Sequence, residues 1–467
     1  MGRAVVMRRR LRLPALAVAW LAATLWGCFD DRSRPTVPVL VDVTVLSDPA
    51  GAEIVLDGEA LGTTTPATLT GVPAGPHRFL LELSAAPTQV FVWADTVIVP
   101  QEAVDTIDVA LEGGCRFNCP LLVDRGRIRC LFNNFGDTCA SVFFDLVPAL
   151  EWPGTSGADY GAGGRLLVAA ILDDDAGAQA GDTVATQVYE LAWVGRYPVA
   201  SGSSGRRQTE QLTYWASSLF SGASLLGLSV SETLVAVDSA GTEDVLFIQL
   251  KVQNISDDER YRDLYPSVPA GGYTFRELYL GVGLDADVGA AADDVGTFDP
   301  GLDLAFIYDA DFSDVQLGDF AERPALVGLA TVEPPAGATR RTLTLWRVTD
   351  DWDGEDRQDF AWRLLAGRLR SGDPIGDHPS PDIGHASDDL ADYRITEAYG
   401  PLQLAPGDTI EMTVALVLAE PVAGTFTPGA LVLPGDPTDP DRAILNVAAD
   451  LRALAADLPV LWARYRP

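Results

Sequence analysis

"VDVTVLSDPAGAEIVLDGEALGTTTPATLTGVPAGPHRFLLEL", Val41 to Leu83, decides how the first part of the chain folds. Val41, Val43 and Val45 alternate with polar residues, and Ile54 and Leu56 do the same. That two-residue period places one apolar face on each strand. Asp48-Pro49 and Asp57-Gly58 are turn signals, and Gly71-Val72-Pro73-Ala74-Gly75 is a third turn before "HRFLLEL". The stretch is therefore predicted to be short strands joined by tight turns, without helix.

The same texture continues beyond it. Past a cysteine-bearing connector, 113–140, lie more than 300 residues of short apolar or alternating runs. Examples are "LLVAAIL" (Leu166 to Leu172), "VLFIQLKVQN" (Val245 to Asn254), "LTLWRV" (Leu343 to Val348) and "IEMTVALVLAE" (Ile410 to Glu420). The clearest helical period is at the end, where Val447, Leu451, Leu454 and Leu458 share one face. Asp439 is the expected N-cap, Pro440 the first helical residue and Pro459 the terminator, giving a helix over 440–458. The fold class is all-β: a small β-sandwich over 39–112, then a large β-sandwich body over 141–467, built as one or two sandwiches with a C-terminal α-helix.

The first unit resembles the PEGA domain, a small bacterial surface β-sandwich. The matching elements are Pro49-Ala50-Gly51-Ala52, Val55-Leu56-Asp57-Gly58, Gly62 with Thr65-Pro66, and Pro73-Ala74-Gly75-Pro76-His77. Ala50 stands where the family has its glutamate. The resemblance implies a surface module that spaces or binds, without catalysis. The body resembles large secreted β-rich bacterial proteins of unassigned function. Its pieces are "WPGTSGADYGAGGRLLVAA" (Trp152 to Ala170), a β pair ending "VQNIS", an acidic stretch, "DLAFIYDADF" (Asp303 to Phe312) and "DYRITEAYGPLQLAPGDTIEMTVALVLAE" (Asp392 to Glu420), followed by the closing helix. That resemblance brings no chemistry with it.

Charge and the N-terminus bear on location. The 467 residues carry 66 acidic and 33 basic side chains, a net charge of −33, and Lys251 is the single lysine. Such a surface repels nucleic acid and anionic lipid, which excludes a nucleic-acid partner. Arg8, Arg9, Arg10 and Arg12 form a basic region, and "LPALAVAWLAATLW" (Leu13 to Trp26) is an apolar run of signal-peptide length. Leu25-Trp26-Gly27-Cys28 then resembles a bacterial lipobox, with bulky Trp26 at a usually small position. Residues 1–27 are thus expected to be a lipoprotein signal peptide and Cys28 the site of lipid attachment. Residues 28–38 form a polar tether, and the membrane is a partner through the anchor. Phe29 after the cysteine, rather than Asp, implies the outer membrane by resemblance to proteobacterial sorting. Cys115, Cys119, Cys130 and Cys139 remain, an even number that reads as two disulfides in an exported chain. Three pairings are open, the local one being Cys115–Cys119 with Cys130–Cys139; four thiolates around zinc are the rival.

Catalytic motifs are missing. There is no G-x-S-x-G elbow, no H-E-x-x-H, no Walker loop and no G-x-G-x-x-G opening a helix, and histidine is confined to His77, His378 and His385. His77 is expected at a strand entry of the first unit. "GVGLDADVGAAADDVGTFDPGLD" (Gly281 to Asp303) is the chemically richest stretch. Asp285-x-Asp287 begins like an EF-hand, but Gly289 and Gly296 occupy positions that need oxygen ligands. A calcium site built on a β-loop remains, with Asp285, Asp287, Asp293, Asp294 and Asp299 as ligands, because calcium takes six to eight oxygens from flexible loops. The expected function is a lipid-anchored envelope protein, structural or binding, stabilised by Ca2+ and not an enzyme. Its partner would be a surface polysaccharide or an envelope protein. The alternative is a carbohydrate-active enzyme or carbohydrate-binding surface protein.

Overall fold

The computed structural model describes residues 39–48, 50–57, 59–84, 90–99, 105–110, 112–114, 121–132, 137–139, 149–161, 163–173, 183–189, 199–204, 206–218, 225–264, 268–347, 357–368, 390–435 and 439–467. The leader with Cys28, the tether, Cys115, Cys119, His378 and His385 lie outside them.

The first unit comprises β1 (Leu40–Asp48), β2 (Glu53–Leu56), β3 (Glu59–Thr64), β4 (Ala67–Pro73), β5 (Gly75–Ser84), β6 (Val90–Val99), β7 (Asp105–Ala110) and β8 (Glu112–Gly114). They form two sheets, β4-β1-β7 and β3-β2-β5-β6-β8. Alternation does what the sequence requires. Val43, Val45, Leu69, Val72 and Ile107 of one sheet join Ile54, Phe79, Leu81 and Val99 of the other in a single buried core. His77, in β5, sets Nδ1 2.7 Å from the Asp57 carboxylate and Nε2 2.6 Å from the Pro73 carbonyl, tying two turns together.

The body strands are β9 (Leu121–Val123), β10 (Arg129–Phe132), β11 (Asp137–Thr138), β12 (Leu150–Glu151), β13 (Gly163–Asp173), β14 (Thr183–Tyr189), β15 (Val199–Ser204), β16 (Arg207–Ser218), β17 (Leu225–Val237), β18 (Val245–Asn254), β19 (Thr274–Asp285), β20 (Asp294–Asp299), β21 (Leu304–Asp309), β22 (Leu326–Glu333), β23 (Arg340–Arg347), β24 (Tyr393–Leu404) and β25 (Thr409–Ala419). The helices are α1 (Glu259–Leu264), α2 (Arg357–Ala366), α3 (Ala443–Val447) and α4 (Ala449–Tyr465). One sheet centres on β13-β19-β24-β23, with β9 to β12 joined to it through β11. The other runs β15-β16-β17-β18-β25-β22-β21-β20. β14 pairs with β13 in one and with β16 in the other, joining the sheets along one side. The segment read as a cysteine-bearing connector is itself sheet where it is described, and Cys130 is disulfide-bonded to Cys139 with Cα atoms 5.0 Å apart.

Three apolar layers result. Between the sheets, Leu228, Val230, Leu246, Ile248, Leu250 and Val414 face Val168, Leu280, Val282, Leu345 and Ile395. On the outer face of the β18 sheet, Val245, Phe247, Phe306, Tyr308 and Val417 are covered by Ile444, Leu451, Leu458 and Trp462. On the outer face of the β19 sheet, Tyr279, Leu167 and Ala398 receive Leu365 and Ala366 of α2. Gly281 is needed there, since a Cβ would lie 2.7 Å from Leu365 Cδ2 and 2.8 Å from the Glu397 carbonyl. The sequence pattern did not disclose α2.

The closing helix differs from expectation in its ends. Asp439 accepts the Asp441 N–H at 2.9 Å and caps a turn, whereas Arg442 is the N-cap of α3. α4 runs through Pro459 to Tyr465. Proline costs a helix one hydrogen bond and a steric clash, about 3 kcal/mol. Here Pro459 is exposed, and the turn beyond it carries Trp462, whose ring lies 5.2 Å from Phe247 and whose Nε1–H donates to Glu333 Oε2 at 2.8 Å. Burying a tryptophan more than offsets that cost. Trp462→Ala is accordingly expected to destabilise the body by about 3–5 kcal/mol, while Pro459→Ala stabilises it; chemical-denaturant unfolding followed by tryptophan fluorescence measures both.

Candidate acidic site

The acidic stretch occupies the end of β19, the loop after it, and β20. Its carboxylates do not meet at one point. Asp285 and Asp287 gather with Asp392, the residue just before β24; one oxygen of each lies within 4.8 Å of the others. Antiparallel pairing explains this, because Asp285 sits directly across from Arg394 in β24, so the chain before Arg394 passes the chain after Asp285. Arg394 Nε donates to Asp285 Oδ2 at 2.8 Å and its guanidinium lies 5.0 Å from the Trp346 ring centroid.

Arg394 is bonded to Asp285 and Arg165 acts on it from nearby, two guanidiniums against three carboxylates. Burial pushes the Asp285 carboxyl up, with Arg394 opposing it. Burial and then the neighbouring Asp285 push Asp287 up to about 6. Burial followed by Asp285 and Asp287 brings Asp392 up to about 6 as well. Asp285 Oδ1 and Asp392 Oδ1 are buried and accept no hydrogen bond. Such oxygens cost free energy unless something ligates them. All the donors are hard oxygens at spacings a calcium ion with bonds of about 2.3–2.6 Å can bridge.

The other sequence-derived candidates go elsewhere. Asp293 groups with Asp309 and Asp314. Asp294 is fully buried and accepts the Val288 N–H at 3.0 Å with Oδ2. Asp299 Oδ2 receives Arg452 Nε of α4 at 2.5 Å and Oδ1 the Gly301 N–H at 3.1 Å, so it is a structural anchor for the helix. Sequence reasoning missed Asp392, Asp309 and Asp314. Asp392 precedes a strand whose partner, β19, is more than a hundred residues away, whereas Asp309 and Asp314 lie near Asp293 in the chain and only the "DADFSD" spacing (Asp309 to Asp314) offered a local sign. His77 lies in the first unit. The two later histidines lie outside the described residues.

Elsewhere the body buries a polar cluster around Glu397. Glu397 of β24 is fully buried; Oε1 accepts from Thr331 Oγ1, Arg341 Nε at 2.7 Å and Tyr399 Oη at 3.0 Å. Arg341 continues to Asp303. These contacts cross β22, β23 and β24 and hold the sheets in register.

Two β-sandwich units with an acidic site in the second define the chain by structure. By sequence, residues 40–85 match the PEGA domain, and β1 to β8 form the small β unit that the resemblance implied. No curated protein matches the chain. Among solved structures, the galactose 1-epimerase from Lactobacillus acidophilus NCFM is similar over 79% of this chain and 99% of that one, at 8% identity and a TM-score of 0.23. A likeness that low carries no argument about fold or site.

The pairing of Arg394 with Asp285 yields a double-mutant test. In calcium-free buffer, Arg394→Ala is expected to cost about 2–3 kcal/mol, because it strands a buried carboxylate. Adding Asp285→Ala to it should recover much of that loss. Urea unfolding of the two single variants and the double variant reads the coupling.

Proposed function

We propose that the protein is a lipid-anchored component of a bacterial cell envelope, structural or binding in role, whose β-body is stabilised by calcium at Asp285, Asp287 and Asp392. The PEGA domain carries this reading. It follows, after a short tether, a basic, apolar leader that ends at Gly27-Cys28, the order of a lipoprotein. A triacylated N-terminus at Cys28 holds the chain on the outer membrane, and residues 28–38 lift the PEGA unit off the lipid.

The role read for the body is presentation of a surface, with no reaction. The exported compartment offers millimolar calcium, which suits weak sites made of carboxylates on β-loops. A net charge of −33 keeps nucleic acid away and leaves a polysaccharide or an envelope protein as partner.

Three measurements test the reading. Cys28→Ser should move the chain from the outer-membrane fraction into the soluble fraction. The wild-type chain should melt higher in calcium than in EDTA, and Asp287→Asn should lose part of that increment. Incubation with a panel of polysaccharides should release no reducing ends; their release would overturn the non-catalytic role and favour a carbohydrate-active enzyme.

A further inference from the structure

The second group of carboxylates is the more completely built. Asp309 ends β21 and is fully buried. Its Oδ1 accepts the N–H groups of Asp311 at 2.8 Å and Ser313 at 3.4 Å, which curls the "DADFSD" turn around it. Its Oδ2 has no partner. One oxygen each of Asp309, Asp293 and Asp314 lies within 4.8 Å of the others, and Asp293 Oδ1 and Asp311 Oδ1 are likewise buried and unpartnered. Asp314 is positioned from outside: Oδ2 accepts the Ala290 N–H at 2.5 Å and Oδ1 the Gln316 N–H at 2.7 Å. Gly289, at φ +78, is required for that approach, since a Cβ there would fall 2.3 Å from Asp314 Oδ2.

The same turn holds the C-terminal segment. The Ala310 carbonyl accepts the Val432 N–H at 2.7 Å, and the Asp311 carbonyl accepts the Gly429 N–H at 2.8 Å. Tyr308 Oη donates to the Val432 carbonyl at 2.8 Å. Phe312, at φ +53, packs between Tyr308 at 5.5 Å and Phe426 at 4.7 Å, ring centroid to centroid. The carboxylate turn is thus the foundation on which residues 426–432 rest before the chain enters α3.

We propose that Asp293, Asp309 and Asp314, with Asp311 beside them, form a second, separate calcium site that fastens the C-terminal segment to the β-body. A fully buried carboxylate with a bare oxygen, facing other carboxylates, needs a positive partner. Among the described residues no arginine or lysine bonds to any of these four side chains. The donors are all oxygen, which selects a hard cation over zinc or copper. Their spread suits calcium better than magnesium, which demands octahedral bonds near 2.1 Å. The site shares calcium chemistry with the Asp285 cluster but none of its ligands, so either can fail alone.

The test uses the full chain, detergent-solubilised and stripped with EDTA. Calcium is titrated calorimetrically into the wild type, Asp309→Asn, Asp293→Asn and Asp287→Asn, and limited proteolysis is followed by mass spectrometry. Asp309→Asn and Asp293→Asn should each lose one calcium equivalent that Asp287→Asn keeps. Calcium at about ten times its dissociation constant should slow cleavage within residues 422–435 about tenfold in the wild type, and not in Asp309→Asn. In EDTA the Asp309→Asn chain should still melt cooperatively and no lower than wild type, because it carries one fewer crowded charge; this separates a lost site from a failure to fold. Unchanged calcium stoichiometry in both Asn variants would overturn the proposal, as would cleavage of 422–435 that ignores calcium in the wild type. Equal protection by magnesium at the same concentration would overturn the calcium assignment.

Discussion

The sheet that runs from β15 through β18 and β25 to β20 is apolar on both faces along part of its strands, and the body's architecture follows from that. β18 displays it residue by residue. Leu246, Ile248, Leu250 and Val252 all point into the space between the sheets. On the opposite face, Val245 and Phe247 lie under α4, but Gln249, Lys251 and Gln253 beyond them do not. β25 repeats the change, with Ala415, Val417 and Ala419 covered and Thr409 and Glu411 exposed. Where the helix stops, the strands turn from continuously apolar to alternating, and Lys251 meets Glu411 at 3.0 Å in the open. A sheet cannot leave Phe247, Phe306 and Tyr308 in water, so a third layer is obligatory. α3 and α4 supply it, and Arg442 and Arg452 bind them to β20 through Thr297, Phe298 and Asp299.

Much of this was legible in the sequence. Strict alternation in Val41–Val45 and at Ile54 and Leu56 gave strands, turn residues gave their limits, and the leucine spacing gave a C-terminal helix on an apolar stripe. What escaped was set by partners distant along the chain. α2 exists because Leu365 and Ala366 fill the groove over Gly281 and Ala398, and no local period of its own announces that. Pro459 misled for the same reason: the local rule ends a helix there, and the burial of Trp462 three residues later overrules it.

The acidic stretch shows the same limit more sharply. Proximity in sequence suggested that Asp285, Asp287, Asp293, Asp294 and Asp299 would converge. A strand end, a loop and a second strand separate them instead. Asp285 and Asp287 complete their cluster with Asp392, which β24 delivers from more than a hundred residues away, and Asp293 completes its own with Asp309 and Asp314 across the β20–β21 hairpin. β20 is buried along its whole length, and there Asp299 pairs with Arg452 of α4 while Asp294 accepts the Val288 N–H. Residue type was therefore informative and grouping was not, because grouping is decided by strand pairing.

Two carboxylates about 4.8 Å apart repel by roughly 3 kcal/mol at the effective dielectric of a partly buried site. Each cluster holds three, and domains are stable by only about 5–15 kcal/mol. Relief can come from a proton or from a metal cation. Burial and the neighbouring carboxylates push Asp287, Asp392 and Asp309 up to about 6, so the cost of crowding falls on both clusters. Arg394 acts on all three members of the first cluster and Arg165 on Asp285, whereas no arginine or lysine among the described residues bonds to the second. A divalent cation supplies two charges at one point and satisfies the bare oxygens at the same time. On that argument, the buried acidity would be best accommodated where a divalent cation is present.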